Sequence, residues 1–316
     1  MSRPVVYNAT LVEREDLSPT LALFRIRPDA VPEAERVWFD PGQYVSLGLN
    51  VEKPGETPRA VQRPYSIASE PEERRWLEFY IRRVGKPESS DPFTHLLWTR
   101  RPGDRLHVGA KITGRFTLAH TVGPDDPRLK MFVAAGTGLA PFVSIVRSHM
   151  QEGDREKLSR LVILHGASHP HELGYREDLE RVMEHLALKY FPTVSRPHEN
   201  PDWAGSKGRV ETFFDGERLE ALERRLGLPA GGIRPEAAVV YVCGFTGTIA
   251  ETVVRLIRRG FVPDDRRIRR LLEVPEGTPA SLFFEQYDTE PLIDPTNAHL
   301  LEQLRADFRV GRSGGS

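Results

Sequence analysis

The stretch Met131-Phe-Val-Ala-Ala-Gly136-Thr-Gly138-Leu-Ala-Pro141-Phe-Val-Ser-Ile-Val-Arg-Ser-His149 constrains the fold more than any other part of the chain. Residues 131–135 form an apolar run of buried-strand length, while Phe142, Ile145, Val146 and His149 recur at helical spacing. Between them, Gly136-Thr137-Gly138 is a turn with almost no side chain. Pro141 suits a first helical turn, where its missing N–H has no partner to lose. A strand, a bare turn and a helix N-terminus present backbone N–H groups and partial positive charge, which suits a phosphate. The common dinucleotide fingerprint is incomplete, because Pro141 stands in the slot of its third glycine. Nor does the next apolar run, residues 161–168, end in the acidic residue that holds a ribose. Taken alone, the turn is either a phosphate cradle or a plain strand-to-helix connection.

The chain changes character once around this feature. Up to about residue 120, short apolar segments at 5–7, 21–26, 44–49, 76–81 and 105–108 are separated by turns at Pro28, Pro41-Gly42, Pro54-Gly55, Pro71 and Pro102-Gly103. That spacing predicts a small antiparallel barrel. One helix is expected over 92–99, with Asp91 as cap and Pro92 at the first helical position. Gly-Pro-Asp-Asp-Pro within residues 122–128 reads as a linker. Beyond it, strands at 161–165 and 239–243 alternate with helices at 176–190 and 249–259, the first carrying Leu179, Val182, Met183 and Leu186 on one face. Alternation of this kind predicts a parallel sheet with ligands at the strand C-terminal ends, where both Gly136 and Gly244 fall. The expected organisation is a β-barrel domain at 1–122, an α/β domain at 128–272 and a C-terminal extension at 273–316.

Composition narrows the function. A length of 316 residues suits two domains, since one core rarely grows past about 250. A net charge of −1 argues against a nucleic-acid binder driven by its electrostatic field. No apolar run approaches the roughly 20 residues that cross a bilayer, and Met1-Ser-Arg-Pro-Val-Val lacks the apolar core of a secretory signal, so a cytoplasmic setting is expected. The single cysteine, Cys243, leaves no internal disulfide and no four-thiolate iron–sulfur cluster. If this chain moves electrons, an organic cofactor or a partner carries them.

Within the barrel segment lies Arg63-Pro64-Tyr65-Ser66. Tyrosine offers a flat face for stacking, arginine a planar fork for a phosphate and serine a small hydroxyl. The other reading is an ordinary strand with a surface arginine and a half-buried tyrosine. With its neighbours in order, the segment resembles the R-x-Y-S flavin motif of the ferredoxin–NADP reductase family. Leu77-Glu-Phe-Tyr-Ile-Arg82 is similar to that family's next barrel strand, and Gly109-Ala-Lys-Ile-Thr-Gly114-Arg-Phe-Thr-Leu118 to the glycine segment closing its flavin domain. Gly136-Thr-Gly-Leu-Ala-Pro141 matches a G-T-G-x-A-P turn and Val242-Cys-Gly244 a terminal C-G motif. The resemblance covers roughly residues 5 to 270 and includes Pro141 as part of the match.

The resemblance implies FAD and NADP as cofactors. Tyr65 stacks on the isoalloxazine, Arg63 pairs with the FAD pyrophosphate beside the helix near Thr94, and Ser66 hydrogen-bonds near flavin N5. Phe79, Tyr80, Ile81 and Arg82 line the flavin and its ribityl chain, with Thr113 in the closing segment. Thr137, flanked by Gly136 and Gly138, sits between the flavin edge and the nicotinamide. Cys243, before Gly244, borders nicotinamide C4; otherwise it is a buried strand-end cysteine. Ser195, Arg196 and Arg209 resemble the positions that hold the 2′-phosphate of NADPH in bacterial members. A further arginine of the family is replaced by Ser168, for which His169 or Lys207 compensates. The reaction implied is hydride transfer between NADPH and FAD, followed by single-electron exchange with an acidic ferredoxin or flavodoxin. Arg258-Arg259 and Arg266-Arg267-Ile-Arg269-Arg270 form either a steering patch for that partner or a solvated helix face. Two alternatives stand beside this one: an NADH-dependent reductase component of an oxygenase, and a flavin-binding electron-transfer subunit with little turnover of its own.

The C-terminal extension departs from the family. Phe283, Phe284 or Tyr287 either covers the flavin or anchors the tail as core aromatics. Asp294-Pro295 reads as a helix start, and Leu300, Leu301, Leu304 and Phe308 form an apolar stripe. That stripe docks in a groove of its own chain or on a second subunit of a homodimer.

Overall fold

The computed structural model describes residues 3–31, 38–55, 57–86, 90–286 and 290–313. Tyr287 lies outside the described residues. The chain divides into two compact units, one of Met1–His120 with Ala140–Gly153 and one of Thr121–Leu139 with Asp154–Ser316. Among the described residues, no helix is long and apolar enough to cross a membrane.

The first unit holds strands β1 (Ala9–Ser18), β2 (Leu21–Pro28), β3 (Tyr44–Val51), β4 (Arg59–Ser66) and β5 (Leu77–Arg82), helix α1 (Phe93–Trp98) and strand β6 (Arg105–Val108). They form one antiparallel sheet in the order β4-β3-β6-β1-β2-β5. The sheet is barrel-like but not closed by a ladder; the N–H of Ala68, just past β4, donates to the carbonyl of Glu78 on β5. Leu11, Phe24, Val45, Leu47, Phe79 and Ile81 fill its interior. Strand β1 escapes the sequence reading because Glu13, Arg14, Glu15 and Asp16 interrupt its apolar alternation. Three of these charges are spent in two ion pairs, Arg14 with Asp16 and Glu13 with Arg25. Helix α1 starts one residue later than expected. Pro92 is its N-cap without a side-chain bond, because the Asp91 carboxylate turns instead to Lys53 and Arg59. These cations, with Lys53 the main partner, hold the Asp91 carboxyl below its usual range.

After α2 (Leu118–Thr121) and β7 (Leu129–Ala135), a 3₁₀ turn at Gly136–Leu139 leads into α3 (Ala140–Glu152). The contacts of α3 place it in the first unit: Phe142 packs on Phe116, Ser144 Oγ donates to Ser69 O at 2.7 Å, and Arg147 reaches Glu78 at 2.7 Å. Glu78 is almost fully buried and also takes Arg25 at 2.7 Å, so one carboxylate ties α3, β5 and β2 together.

The second unit continues through α4 (Arg155–Ser159), β8 (Leu161–Ala167), α5 (Arg176–Leu186), β9 (Lys189–Val194), β10 (Ser206–Lys207), α6 (Gly216–Leu226), β11 (Ala238–Cys243), α7 (Thr246–Arg258), α8 (Arg266–Leu271), β12 (Leu282–Glu285) and α9 (Ala298–Ser313). Its parallel sheet runs β10-β9-β8-β7-β11-β12. Every residue of β11 is buried, as expected for a strand covered on both faces. Helix α5 is shorter than the expected 176–190. It ends where Ala187 turns left-handed (φ 63°), and the apolar run continues as β9 rather than as helix. The extension contributes both a strand and a helix. Strand β12 pairs with β11, placing Phe283 beside Tyr241 with ring centroids 5.1 Å apart. Helix α9 begins later than Asp294-Pro295, because Asp294 folds back onto the N–H and hydroxyl of Thr296 and Asn297 caps the helix through Leu300 N. Leu301, Leu304 and Phe308 join the core of this unit beside Val253, Leu256 and Ile257 of α7. The stripe is therefore buried within its own chain.

Candidate functional site

In the first unit, the Arg-Pro-Tyr-Ser segment closes β4, an edge strand of the sheet. Proline is tolerated there because an edge strand need not donate on both sides. Gln62, Arg63 and Pro64 are all exposed, so the alternation of a covered strand is broken at this point. The Arg63 guanidinium donates to Gln62 O at 2.8 Å, and among the described residues no carboxylate pairs with it. It remains a held, exposed cation. The Tyr65 ring is half-buried, with its centroid 5.5 Å from that of Phe93 on α1. Burial pushes its phenol pKa well up against the weaker pull of Arg63, so the ring stays neutral. Ser66 is buried, opposite Tyr44 in the ladder, and Tyr44 exchanges two backbone hydrogen bonds with Thr113 at 2.8 and 3.0 Å. Ser66 and Thr113 therefore flank the same residue. On β5, Phe79 and Ile81 belong to the unit's core, whereas Tyr80 and Arg82 alternate to the other face. The Thr94 hydroxyl accepts from Val84 N at 3.1 Å and fixes the approach to α1.

In the second unit, β7 lies between β8 and β11, although the chain runs β7, β8, β9 before returning to β11. This reversal is a topological switch point, where open α/β sheets bind ligands beyond the strand C-termini. Gly136 (φ 55°) starts the turn there. A Cβ on Gly138 would lie 2.2 Å from Cys243 O and 2.6 Å from Gly244 N. A Cβ on Gly244 (φ 149°) would lie 2.7 Å from that of Ala135. The two strand ends interlock backbone to backbone, and only glycine fits on either side. Thr137 is half-exposed at this turn, while Cys243 is fully buried. Pro141 is the second residue of α3.

His165, on β8, was not singled out by the sequence. It is fully buried, with Nδ1 3.0 Å from the Tyr190 hydroxyl. Burial pushes its pKa down to about 3 against a weaker pull from the Gly136 backbone, so a neutral imidazole sits beneath the turn.

Beyond β9, the backbone N–H groups of Ser195 and Arg196 donate to Ala167 O and Ser168 O at 2.9 and 3.3 Å. The exposed Arg196 side chain stands 3.6 Å from Glu199. Arg209 is exposed too, steered by a 2.5 Å contact from Nε to the buried Glu211. Lys207 is exposed at the end of β10, whereas His169 is engaged by Asn200 at 3.1 Å and by Glu199 at 3.6 Å. Beside Arg196, a cavity of about 420 Å³ is lined by His171, Arg176, Asn200 and Trp203. Phe284 on β12 lies beside Val242 and packs against the second unit's core. Sequence reasoning also passed over Glu211 and Arg218, two charges in a chain rich in them.

The family model for the oxidoreductase NAD-binding domain matches residues 132–254. Ferredoxin–NADP reductase B of Sorangium cellulosum is 32% identical over 224 residues, covering 70% of this chain and 80% of that protein. The chain belongs to the ferredoxin–NADP reductase family. Phenol hydroxylase P5 protein of Acinetobacter pittii is 29% identical over 274 residues, covering 86% of this chain and 67% of that protein. Among solved structures, a ferredoxin NADP+ reductase from Neisseria gonorrhoeae with bound FAD and NADP superposes with a TM-score of 0.67. That match covers 89% of this chain and 99% of the other at 23% identity, and it establishes the shared fold of a barrel-like sheet followed by a parallel sheet.

Proposed function

We propose that the chain is a flavoenzyme that transfers hydride between NADPH and FAD and single electrons between FAD and a ferredoxin or flavodoxin. Family membership gives the reaction class. The observation that carries the site is the interlock of Gly136-Thr-Gly138 with Cys243-Gly244 at the switch point of the parallel sheet. The residues present fit the two cofactors: in the first unit, an exposed cation with no carboxylate partner among the described residues, next in sequence but one to a half-buried aromatic face, and in the second a turn whose two glycines carry no side chain. The chemistry supplied by bound FAD is the conversion of a two-electron hydride into single electrons.

The remaining work belongs to the chain. Residues 1–122 bind FAD and residues 128–272 bind NADPH, with 273–316 completing the sheet and core of the latter. Arg63 pairs with the FAD pyrophosphate, Tyr65 stacks on the isoalloxazine, and Ser66 donates near N5 with Thr113 alongside. Tyr80 and Arg82 line the ribityl side, backed by Phe79, Ile81 and Thr94. Thr137 and Cys243 border the nicotinamide, held there by backbone groups of Gly136, Gly138 and Gly244. Ser195, Arg196 and Arg209 take the 2′-phosphate, a dianion that calls for forked cations. Of the C-terminal arginines, Arg258 and Arg259 pair with Asp307 and Glu223, leaving Arg266, Arg267 and Arg270 exposed on α8 to steer an acidic carrier. A cytoplasmic setting accords with the lone thiol of Cys243.

The likeness to a phenol hydroxylase protein supports a second reading, an NADH-fed reductase component of an oxygenase whose iron–sulfur centre sits on another chain. Anaerobic stopped-flow reduction of the FAD-loaded protein separates the two. Flavin bleaching at least tenfold faster with NADPH than with NADH is expected, followed by reoxidation on adding ferredoxin or flavodoxin. Bleaching tenfold faster with NADH replaces the first reading with the second.

A further inference from the structure

One cation in the second unit, Arg218, is surrounded by neutral hydrogen-bond partners. It lies in the first turn of α6, and its side chain reaches back beneath the segment Ser206-Lys207-Gly208-Arg209. One arm, Nη2, donates to Ser206 Oγ at 2.9 Å and to Thr193 Oγ1 at 3.3 Å. The other, Nη1, donates to Thr212 Oγ1 and, at 3.4 Å, to Arg209 O. The guanidinium face covers Phe213, with Cζ 4.3 Å from the ring centroid. All of these partners are neutral. Among the described residues, no carboxylate forms an ion pair with Arg218, although it is partly buried and burial lowers its pKa. Asp215 and Glu211 offset part of that burial through space without touching the guanidinium. A partly buried charge whose direct partners are all neutral leaves room for an anion that arrives from outside.

The surrounding contacts connect this charge to Arg209. Thr193 Oγ1 donates to Gly208 O at 2.8 Å while accepting from Arg218. Gly208 N in turn donates to Val194 O at 2.9 Å. Gly208 has φ 112°, and a Cβ there would lie 2.6 Å from Arg218 Nη1, so the turn is shaped around the guanidinium. On the far side of this turn, Lys207 and Arg209 face solvent. Arg218 thus fastens β9, β10 and the turn after it from below, and Glu211 aims the Arg209 fork from the side.

We propose that Arg218 is a specificity-determining positioning residue, which holds the Ser206–Arg209 turn in the form that receives the 2′-phosphate of NADPH and adds a fixed positive charge beneath it. This rests on the NADPH reading above. Its consequence is selective: the turn's grip on a 2′-phosphate depends on Arg218, while binding of the nicotinamide half does not.

The test uses the FAD-loaded protein and its Arg218→Gln and Arg218→Lys variants, assayed with NADPH and NADH against ferricyanide. Adenosine 2′,5′-bisphosphate serves as a competitive probe. Arg218→Gln is expected to raise KM for NADPH and the inhibition constant of the bisphosphate by about tenfold or more, the scale of one lost charge-assisted contact. KM for NADH, kcat with either nucleotide and the melting temperature should stay within twofold of wild type or a few degrees of it. Arg218→Lys keeps the charge without the fork and should fall between the two, which keeps the proposal testable if the glutamine variant does not fold. An equal loss for NADPH and NADH, or none for either, overturns the proposal. A wild-type protein that does not prefer NADPH overturns the reading beneath it and the proposal together, whereas a preference that survives both variants overturns the proposal alone.

Discussion

Gly138→Ala adds one methyl group where the structure leaves no room for it. The new Cβ lies 2.2 Å from Cys243 O, 2.4 Å from its carbonyl carbon and 2.6 Å from Gly244 N. Ordinary heavy-atom contacts sit near 3.5 Å, so the turn and the end of β11 must separate by about 1 Å. All three obstructing atoms are backbone, and Cys243 is hydrogen-bonded into a sheet between β7 and β12, so no side-chain rotation relieves the clash. Overpacking of this kind costs about 1–3 kcal/mol of stability. Displacing a reacting pair by about 1 Å costs on the order of 100-fold in rate. The expected phenotype is a folded, yellow protein with an unchanged flavin spectrum whose reduction by NADPH in stopped flow is about 100-fold slower. Gly85→Ala makes the same chemical change where nothing among the described residues lies within 4 Å, and should behave as wild type. A Gly138→Ala variant that reduces its flavin within twofold of wild type would refute the claim that this close approach shapes the nicotinamide site.

Two further outcomes follow from buried groups. His165 is held neutral in the fold down to pH about 3, whereas the unfolded chain protonates it near 6.5. The unfolded state therefore binds the extra proton between these values. The stability contributed by the neutral imidazole is complete above pH 6.5 and is lost as the pH falls, at up to about 1.4 kcal/mol per pH unit. Urea titrations from pH 7 to 5 should show a shallower loss in His165→Gln than in wild type, and parallel curves would sink the assignment. Leu304, fully buried where α9 meets the second unit's core, should cost about 2–5 kcal/mol when cut to alanine. A fall in the chemical-denaturation free energy of less than 1 kcal/mol would mean that the C-terminal helix is not docked in solution.

The parts of the fold that were legible in the sequence are those whose signal is local. Residues 131–135, 161–164 and 239–243 are continuous apolar runs, and each lies in a central strand buried on both faces. What escaped depended on partners far along the chain. Strand β1 hides its alternation behind charges that ion pairs absorb, and β12 is a strand only because β11, some 40 residues earlier, offers an edge. The aromatics of the tail allowed either a flavin cover or a core anchor; Phe283 stacks on Tyr241 and Phe284 packs against the core, contacts that the sequence alone does not reveal. The candidate site divides along the same line. Arg63, Tyr65, Gly136 and Gly138 stand in short motifs that can be read directly. Arg218 is one arginine in a helix full of charges, and its partners at 193, 206 and 212 come from three different elements.

The two departures from the common dinucleotide fingerprint now have physical causes. Its first glycine serves a tight turn, its second a close backbone approach and its third the packing of the helix onto its own strand. Here Gly136 supplies the turn and Gly138 the close approach, though to the backbone of Cys243. The third demand is relaxed, because α3 finds its partners in Ser69, Glu78 and Phe116 of the first unit, and the slot is free for Pro141. The missing carboxylate after β8 has a parallel explanation. The N–H groups of Ser168 and His169 are already engaged by Glu172 at 3.2 and 3.3 Å, and an acidic side chain there would add a second negative charge. Such a charge would repel a 2′-phosphate, the group that we propose the exposed forks of Arg196 and Arg209 and the partly buried charge of Arg218 serve. On that proposal, Ser168 stands where an acid would otherwise hold an unphosphorylated ribose.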